Sequence, residues 1–166
     1  VMGIGLGALG YSLNTKSLPE LEAASQKLAA LTPNVKAIVG DEMKGYMING
    51  DAAIGVTFSG EASEMLDSNE HLHYVLPSEG SNLWFDNLVI PKTAKHIDEA
   101  YAFINFMLRP ENAAQNAEYI GYSTPNNAAK ALLPDSVKND KAFYPSEDTI
   151  SHLQVYDNLG QKWLGI

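Results

Sequence analysis

Cysteine is absent from the 166 residues, which excludes disulfides, thiolate metal centres and cysteine nucleophiles while leaving the compartment open. Long hydrophobic runs are missing too. The longest apolar stretch, Val1 to Leu9, is broken by Gly3, Gly5 and Gly7 and is too short to span a bilayer. It also lacks the basic n-region and small-residue cleavage site of a secretory signal. Basic residues are scarce: 11 Lys and Arg against 20 Asp and Glu give a formal charge of -9, the wrong sign for nucleic acid. That charge suits a cationic ligand, although an acidic soluble surface accounts for most of it. There are no repeats or low-complexity tracts. Nor is there a Gly-x-Ser-x-Gly elbow, a dinucleotide fingerprint, or a glycine-rich phosphate loop followed by lysine. Position 1 is not methionine and the chain stops in apolar Trp163-Leu164-Gly165-Ile166, so both ends read as cuts in a longer protein.

What is present fits a compact domain with a sizeable apolar core: 45% hydrophobic and 19% charged residues. Ser17, Pro19 and Glu20 predict a helix start with a capping box, and Leu21, Ala24, Leu28 and Leu31 follow at helical spacing. Short strands are expected at Val35 to Val39, Ala52 to Phe58 and Tyr74 to Leu76, and the strongest at Leu83 to Ile90 before Pro91. Helices are expected at Asp41 to Ile48, Glu61 to Leu66, Ile97 to Leu108, Pro110 to Ile120, Asn126 to Leu132, Pro134 to Asn139 and His152 to Trp163. Gly121 is placed to end the helix that Pro110 begins. Strands alternating with helices predict an α/β architecture, whose ligands sit at the carboxyl ends of strands. This directs attention to Phe58-Ser59-Gly60, to the segment around Trp84, and to the loop Gly121 to Asn126.

In an extended segment Trp84 and Asp86 share one face, which offers an indole beside a carboxylate. An ammonium group seated over the ring would gain about 0.5–2 kcal/mol in addition to its ion pair. Spacing alone favours the plainer alternative, a core tryptophan followed by a turn aspartate. Tyr122 is the better candidate among nearby aromatics because it lies in a loop, where packing gives it less reason to exist; Phe58 suits a pocket wall or a core plug. His71 and His73 alternate beside Glu70 but lack further ligands at a metal-binding spacing. Ser59 reads as a helix N-cap. Glu61 and Glu64 lie on one helical face, as exposed pairs commonly do.

Three segments taken together resemble the polyamine-binding subunits of ABC importers, within the type II periplasmic binding proteins: Leu83-Trp84-Phe85-Asp86-Asn87-Leu88-Val89-Ile90-Pro91, Phe103-Ile104-Asn105-Phe106-Met107-Leu108-Arg109-Pro110-Glu111, and Ile120-Gly121-Tyr122-Ser123-Thr124-Pro125-Asn126. The resemblance runs over nearly the whole chain and implies the C-terminal half of such a receptor. Residues 1–85 would belong to the C-terminal lobe, 86–125 to the N-terminal lobe, and 126–166 to the C-terminal lobe again. It implies ligand contacts at Trp84, Asp86 and Tyr122, an aromatic contact at Phe58, and a polar contact at Asp157 where the family has a glutamine. The family's acidic pair would fall upstream of Val1. The implied function is capture of spermidine or putrescine outside the cytoplasm, in the periplasm or at the cell surface, and delivery to ABC transporter permease subunits. No catalysis, metal or cofactor is implied, and no nucleic acid; membrane association would come only through the parent protein, with a lipoprotein form left open. A same-fold receptor for another small solute is the alternative. An enzyme using Ser59, His71 or Glu61 is the reading from another class.

Overall fold

The computed structural model describes residues 1–164; Gly165 and Ile166, part of the apolar end noted above, lie outside the described residues. In chain order the described helices are α1 (Met2–Gly7), α2 (Leu18–Ala29), α3 (Glu42–Ile48), α4 (Ser59–Ser68), α5 (Ile97–Met107), α6 (Pro110–Ile120), α7 (Asn127–Leu132), α8 (Asp135–Lys138), α9 (Glu147–Ser151) and α10 (Gln161–Leu164). None is long and apolar enough to cross a membrane. The chain divides into two compact units. One comprises Val1–Val39, Val75–Phe85 and the segment from Ser146; the other comprises Gly40–Tyr74 and Asp86–Pro145. This grouping joins residues 40–74 and 126–145 to the segment from Asp86. The lobe segments expected from the resemblance divide the chain differently.

In the first unit, α1 lies close against α2. A Cβ on Gly5 would stand 2.9 Å from both the Ala24 carbonyl oxygen and Leu28 Cγ, so only glycine permits that approach. Each helix buries an apolar residue: Leu6 is 2% exposed and Ala24 0%. α2 begins after Ser17 with proline in its first turn, but the Ser17 side chain makes no cap bond. Thr15 takes over instead. Its hydroxyl donates to Glu20 and accepts from the Ser17 N–H at 3.1 Å, so the expected capping box is displaced two residues upstream.

The expected helix over His152 to Trp163 does not form as one element. The Gln154 N–H donates to the Ser81 carbonyl at 3.0 Å and the Gln154 carbonyl accepts from the Leu83 N–H at 2.9 Å, giving an isolated parallel bridge between Asn82 and Gln154. One backbone amide cannot serve a helix ladder and this bridge together. Helix therefore stops at Ser151 and resumes at Gln161.

That bridge is the sole β-type pairing among the described residues, so the strands expected at Val35 to Val39, Ala52 to Phe58, Tyr74 to Leu76 and Leu83 to Ile90 do not form ladders there. A strand is completed by a neighbouring backbone, and no described segment supplies one. The run expected to be a buried strand instead leaves Ile54 87% exposed, and Val89 in the Leu83 run is 79% exposed. The described chain is therefore mostly helical.

In the second unit, α6 starts at Pro110 and ends at Gly121 in the left-handed conformation (φ 73°), as proline and glycine at those positions dictate. Asn126 then caps α7: its Oδ1 accepts from the Ala128 and Ala129 N–H groups at 3.1 and 3.2 Å. Its Nδ2 donates to the Leu108 carbonyl at 2.9 Å, so one side chain ties the end of α5 to the start of α7. Between α6 and α7 sits a core of Ala114, Ala129 and Leu133, with Ala113, Val137 and Tyr144 packed on it. Tyr144 in turn accepts from the Thr124 N–H through its hydroxyl at 3.1 Å, which fastens the loop that carries Tyr122.

Candidate functional site

The five sequence candidates divide between the two units: Trp84 and Asp157 belong to the first, and Phe58, Asp86 and Tyr122 to the second. The chain passes from one unit to the other between Phe85 and Asp86.

In the first unit, Trp84 and Asp157 lie on two segments joined by the Gln154 bridge. Gln154 is the hub. Its Oε1 accepts from the Ser12 hydroxyl at 3.1 Å and the Leu13 N–H at 2.9 Å, and its backbone pairs with Ser81 and Leu83. Asn14 extends the junction, donating to the Val155 carbonyl at 2.8 Å and accepting from the Asp157 N–H at 2.9 Å. The Asp157 backbone is thus fixed while its side chain is exposed. Gly80 closes the junction: its φ of +98° and a would-be Cβ 2.7 Å from the His152 carbonyl oxygen admit no larger residue. Sequence reasoning passed over Gln154 because it sits inside an expected helix, where its backbone bonds would have been local.

In the second unit, Phe58 and Tyr122 come to the same end of α4. Phe58 is the residue before the helix, in extended conformation. The Tyr122 ring lies against Gly60 in the first helical turn, where a Cβ would be 2.5 Å from Tyr122 Cζ and closer still to Cε2 and Cδ2. Asp86 adds its field to the same tyrosine. Burial is the largest influence holding the Tyr122 phenol above its usual 10.0; Glu61, Asp86 and Asp41 raise it further by repelling a phenolate, and Lys44 opposes them. Tyr122 also lines a groove of about 290 Å³ between α4, the end of α6 and α8.

Glu61 and Glu64, expected on one helical face, share a structural task. Lys44 of α3 places its ammonium 2.9 Å from Glu61 Oε2 and 2.7 Å from Glu64 Oε2. The Glu64 contact is a directed hydrogen bond, whereas Glu61 Oε2 meets the ammonium as an ion pair without hydrogen-bond geometry. The hydrogen bond to Glu64, then the close contact with Glu61, holds the Lys44 ammonium firmly charged, well above the usual lysine range. The three charges brace α3 against α4. Nothing in their sequence spacing announces Lys44. His71 and His73 are both exposed, and among the described residues no three His, Cys, Asp or Glu side chains gather as a metal site requires.

The raised phenol gives a pH signature. Because the folded value lies above 10.0, the stabilisation linked to the protonated phenol is complete below pH 10 and is lost as the pH rises through the folded value. Burial also raises the Tyr74 phenol, so ultraviolet titration of the phenolate band is expected to show late ionisation that shrinks in Tyr122→Phe, leaving the part due to Tyr74. The substitution should also flatten the alkaline loss of stability. Identical titration curves for the two proteins would contradict the environment described for Tyr122.

Comparison with known proteins assigns the chain to a family. Over residues 1–145 the chain matches the bacterial extracellular solute-binding proteins, and it belongs to that family. Within it, the chain is 66% identical to the spermidine/putrescine ABC transporter substrate-binding protein of Streptococcus pneumoniae. It superposes on that structure with a TM-score of 0.91, covering 99% of this chain and 51% of that one. It is 41% identical over 160 residues to the spermidine/putrescine-binding periplasmic protein of Salmonella typhimurium, covering 96% of this chain and 46% of that protein. A putrescine-binding periplasmic protein of Pseudomonas aeruginosa is 28% identical over 168 residues, 98% of this chain and 46% of the relative. The chain thus spans about half the length of the relatives it matches, and its helices are arranged as in the corresponding half of a solute-binding protein.

Proposed function

We propose that this chain is the C-terminal half of a type II solute-binding receptor that captures spermidine or putrescine outside the cytoplasm and delivers it to the permease subunits of an ABC importer. The observation that carries the reading is the setting of Tyr122: an aromatic ring in the field of Glu61, Asp86 and Asp41, with Lys44 opposing. Such a setting favours an organic cation and disfavours an anion. The names of the relatives point to the same ligand class.

In this reading Trp84, Phe58 and Tyr122 offer ring faces to the methylene and ammonium groups of the ligand. Asp86 pairs with one amine, and Asp157 supplies a polar contact. No bond is made or broken; the work is capture and release. Glu61 and Glu64, engaged with Lys44, are poorly placed to act as a free acid–base pair, which weighs against a hydrolase. The lobe assignment of residues 1–85, 86–125 and 126–166 belongs to the same proposal.

Calorimetric titration of the full-length protein with spermidine, putrescine and an anionic solute such as citrate tests it. Saturable heat from at least one polyamine and none from citrate is expected. No heat from either amine, or equal binding of citrate, would overturn the proposal.

A further inference from the structure

Two glycines set the place of Tyr122, and they act in different ways. Gly121, the residue before it, ends α6 at φ +73°, and a Cβ there would stand 2.8 Å from Ser63 Cβ on α4. It is glycine for both backbone conformation and space. Gly60 is different. Its φ lies outside the left-handed range, it sits inside the first turn of α4 and it is buried. Glycine in a helix is less favourable than alanine, so α4 alone gives no reason for it. The reason lies across the gap, in the Tyr122 ring that occupies the space a Cβ would need.

We propose that Gly60 is a positioning residue for ligand binding: by lacking a side chain it seats the Tyr122 ring against the start of α4, at the end of the helix where Phe58 also lies. The inference rests on the reading that Tyr122 contacts the ligand. A methyl group at position 60 cannot be met by a small adjustment, because three ring atoms lie within or at 2.5 Å of it; the ring must leave its seat. The backbone conformation at Gly60, by contrast, does not itself demand glycine. Gly60 thus affects the site through Tyr122, and its effect should vanish once the ring is gone.

A double-mutant cycle tests this. In full-length protein, Gly60→Ala should weaken spermidine binding about tenfold, the scale set by losing a well-placed ring–ammonium contact. Tyr122→Ala should weaken it similarly, and the double variant should bind no worse than Tyr122→Ala alone. Thermal melting supplies the second readout: within the Tyr122→Ala background, Gly60→Ala should raise the melting temperature, since alanine is the better helix former. Affinity of folded Gly60→Ala within about twofold of the parent, or losses that multiply in the double variant, would overturn the inference. If Gly60→Ala does not fold, recovery of folding in the double variant supports the steric contact, and failure of both variants to fold refutes it. Absence of spermidine binding by the unmodified protein would instead sink the proposed function. In that case the phenolate titration still decides the positioning role: Gly60→Ala should shift the late component of Tyr122 towards 10.0, and an unchanged titration would refute it.

Discussion

On the proposed pairing of Asp86 with one amine of the ligand, Asp86→Asn in the full-length protein is expected to lower spermidine affinity by about a hundredfold, close to 3 kcal/mol, the usual scale for truncating one member of a charge pair closed off from water on binding. Asparagine preserves shape and a carbonyl acceptor, so the loss isolates the charge. A control separates this from general electrostatics. Glu79 is an exposed carboxylate of the other unit, bonded to the Ser78 hydroxyl at 3.0 Å, and Glu79→Gln changes the net charge by the same amount. Calorimetry should find Glu79→Gln close to the parent. Equal losses in both variants would mean that overall charge, not a site at Asp86, governs binding, and an intact Asp86→Asn would remove Asp86 from the site.

Leu133→Ala is expected to cost about 3 kcal/mol of folding stability, within the span of 2–5 kcal/mol found for buried leucines. Leu133 is 3% exposed and its buried companions are alanines, Ala129 at 0% and Ala114 at 7%. Alanines bring helix backbones close and have no rotatable side-chain atoms with which to refill a hole, so the cavity should persist. Urea unfolding followed by circular dichroism measures the loss, and a shift below about 1 kcal/mol would show that this cluster is not what holds α6 to α7. Tyr144 packs on the same cluster and holds the Thr124 N–H. Damage to the core should therefore also loosen the Tyr122 loop.

The helices were legible because their signals are local. Pro110 and Gly121 fixed both ends of α6, with all the relevant partners within a few residues. Where a competing bond lay nearby the reading slipped only slightly, as when Thr15 took Glu20 from Ser17. The strands failed for the opposite reason. The apolar runs at Ala52 to Phe58 and Leu83 to Ile90 report a preference for extended backbone, but a ladder needs a partner that sequence does not name. Gln154 shows the converse: a distant pairing broke a helix that periodicity supported.

The candidate site divides along the same line. Trp84, Asp86 and Tyr122 stood out through residue type and resemblance, while Gly60 and Lys44 take their importance from neighbours remote in the chain. Ser59 was readable as a helix start. That Gly60 is the floor beneath Tyr122 was not.

The exposed apolar runs carry a consequence for handling. Ile54, Val56, Leu88 and Val89 are more than half exposed, and exposed apolar segments of extended preference recruit other chains into intermolecular sheets. Opposing this is the formal charge of -9, whose mutual repulsion reaches only about 8 Å at physiological salt. Colloidal behaviour of the 166-residue chain is thus a contest between sticky edges and like-charge repulsion, and added salt weakens only the second.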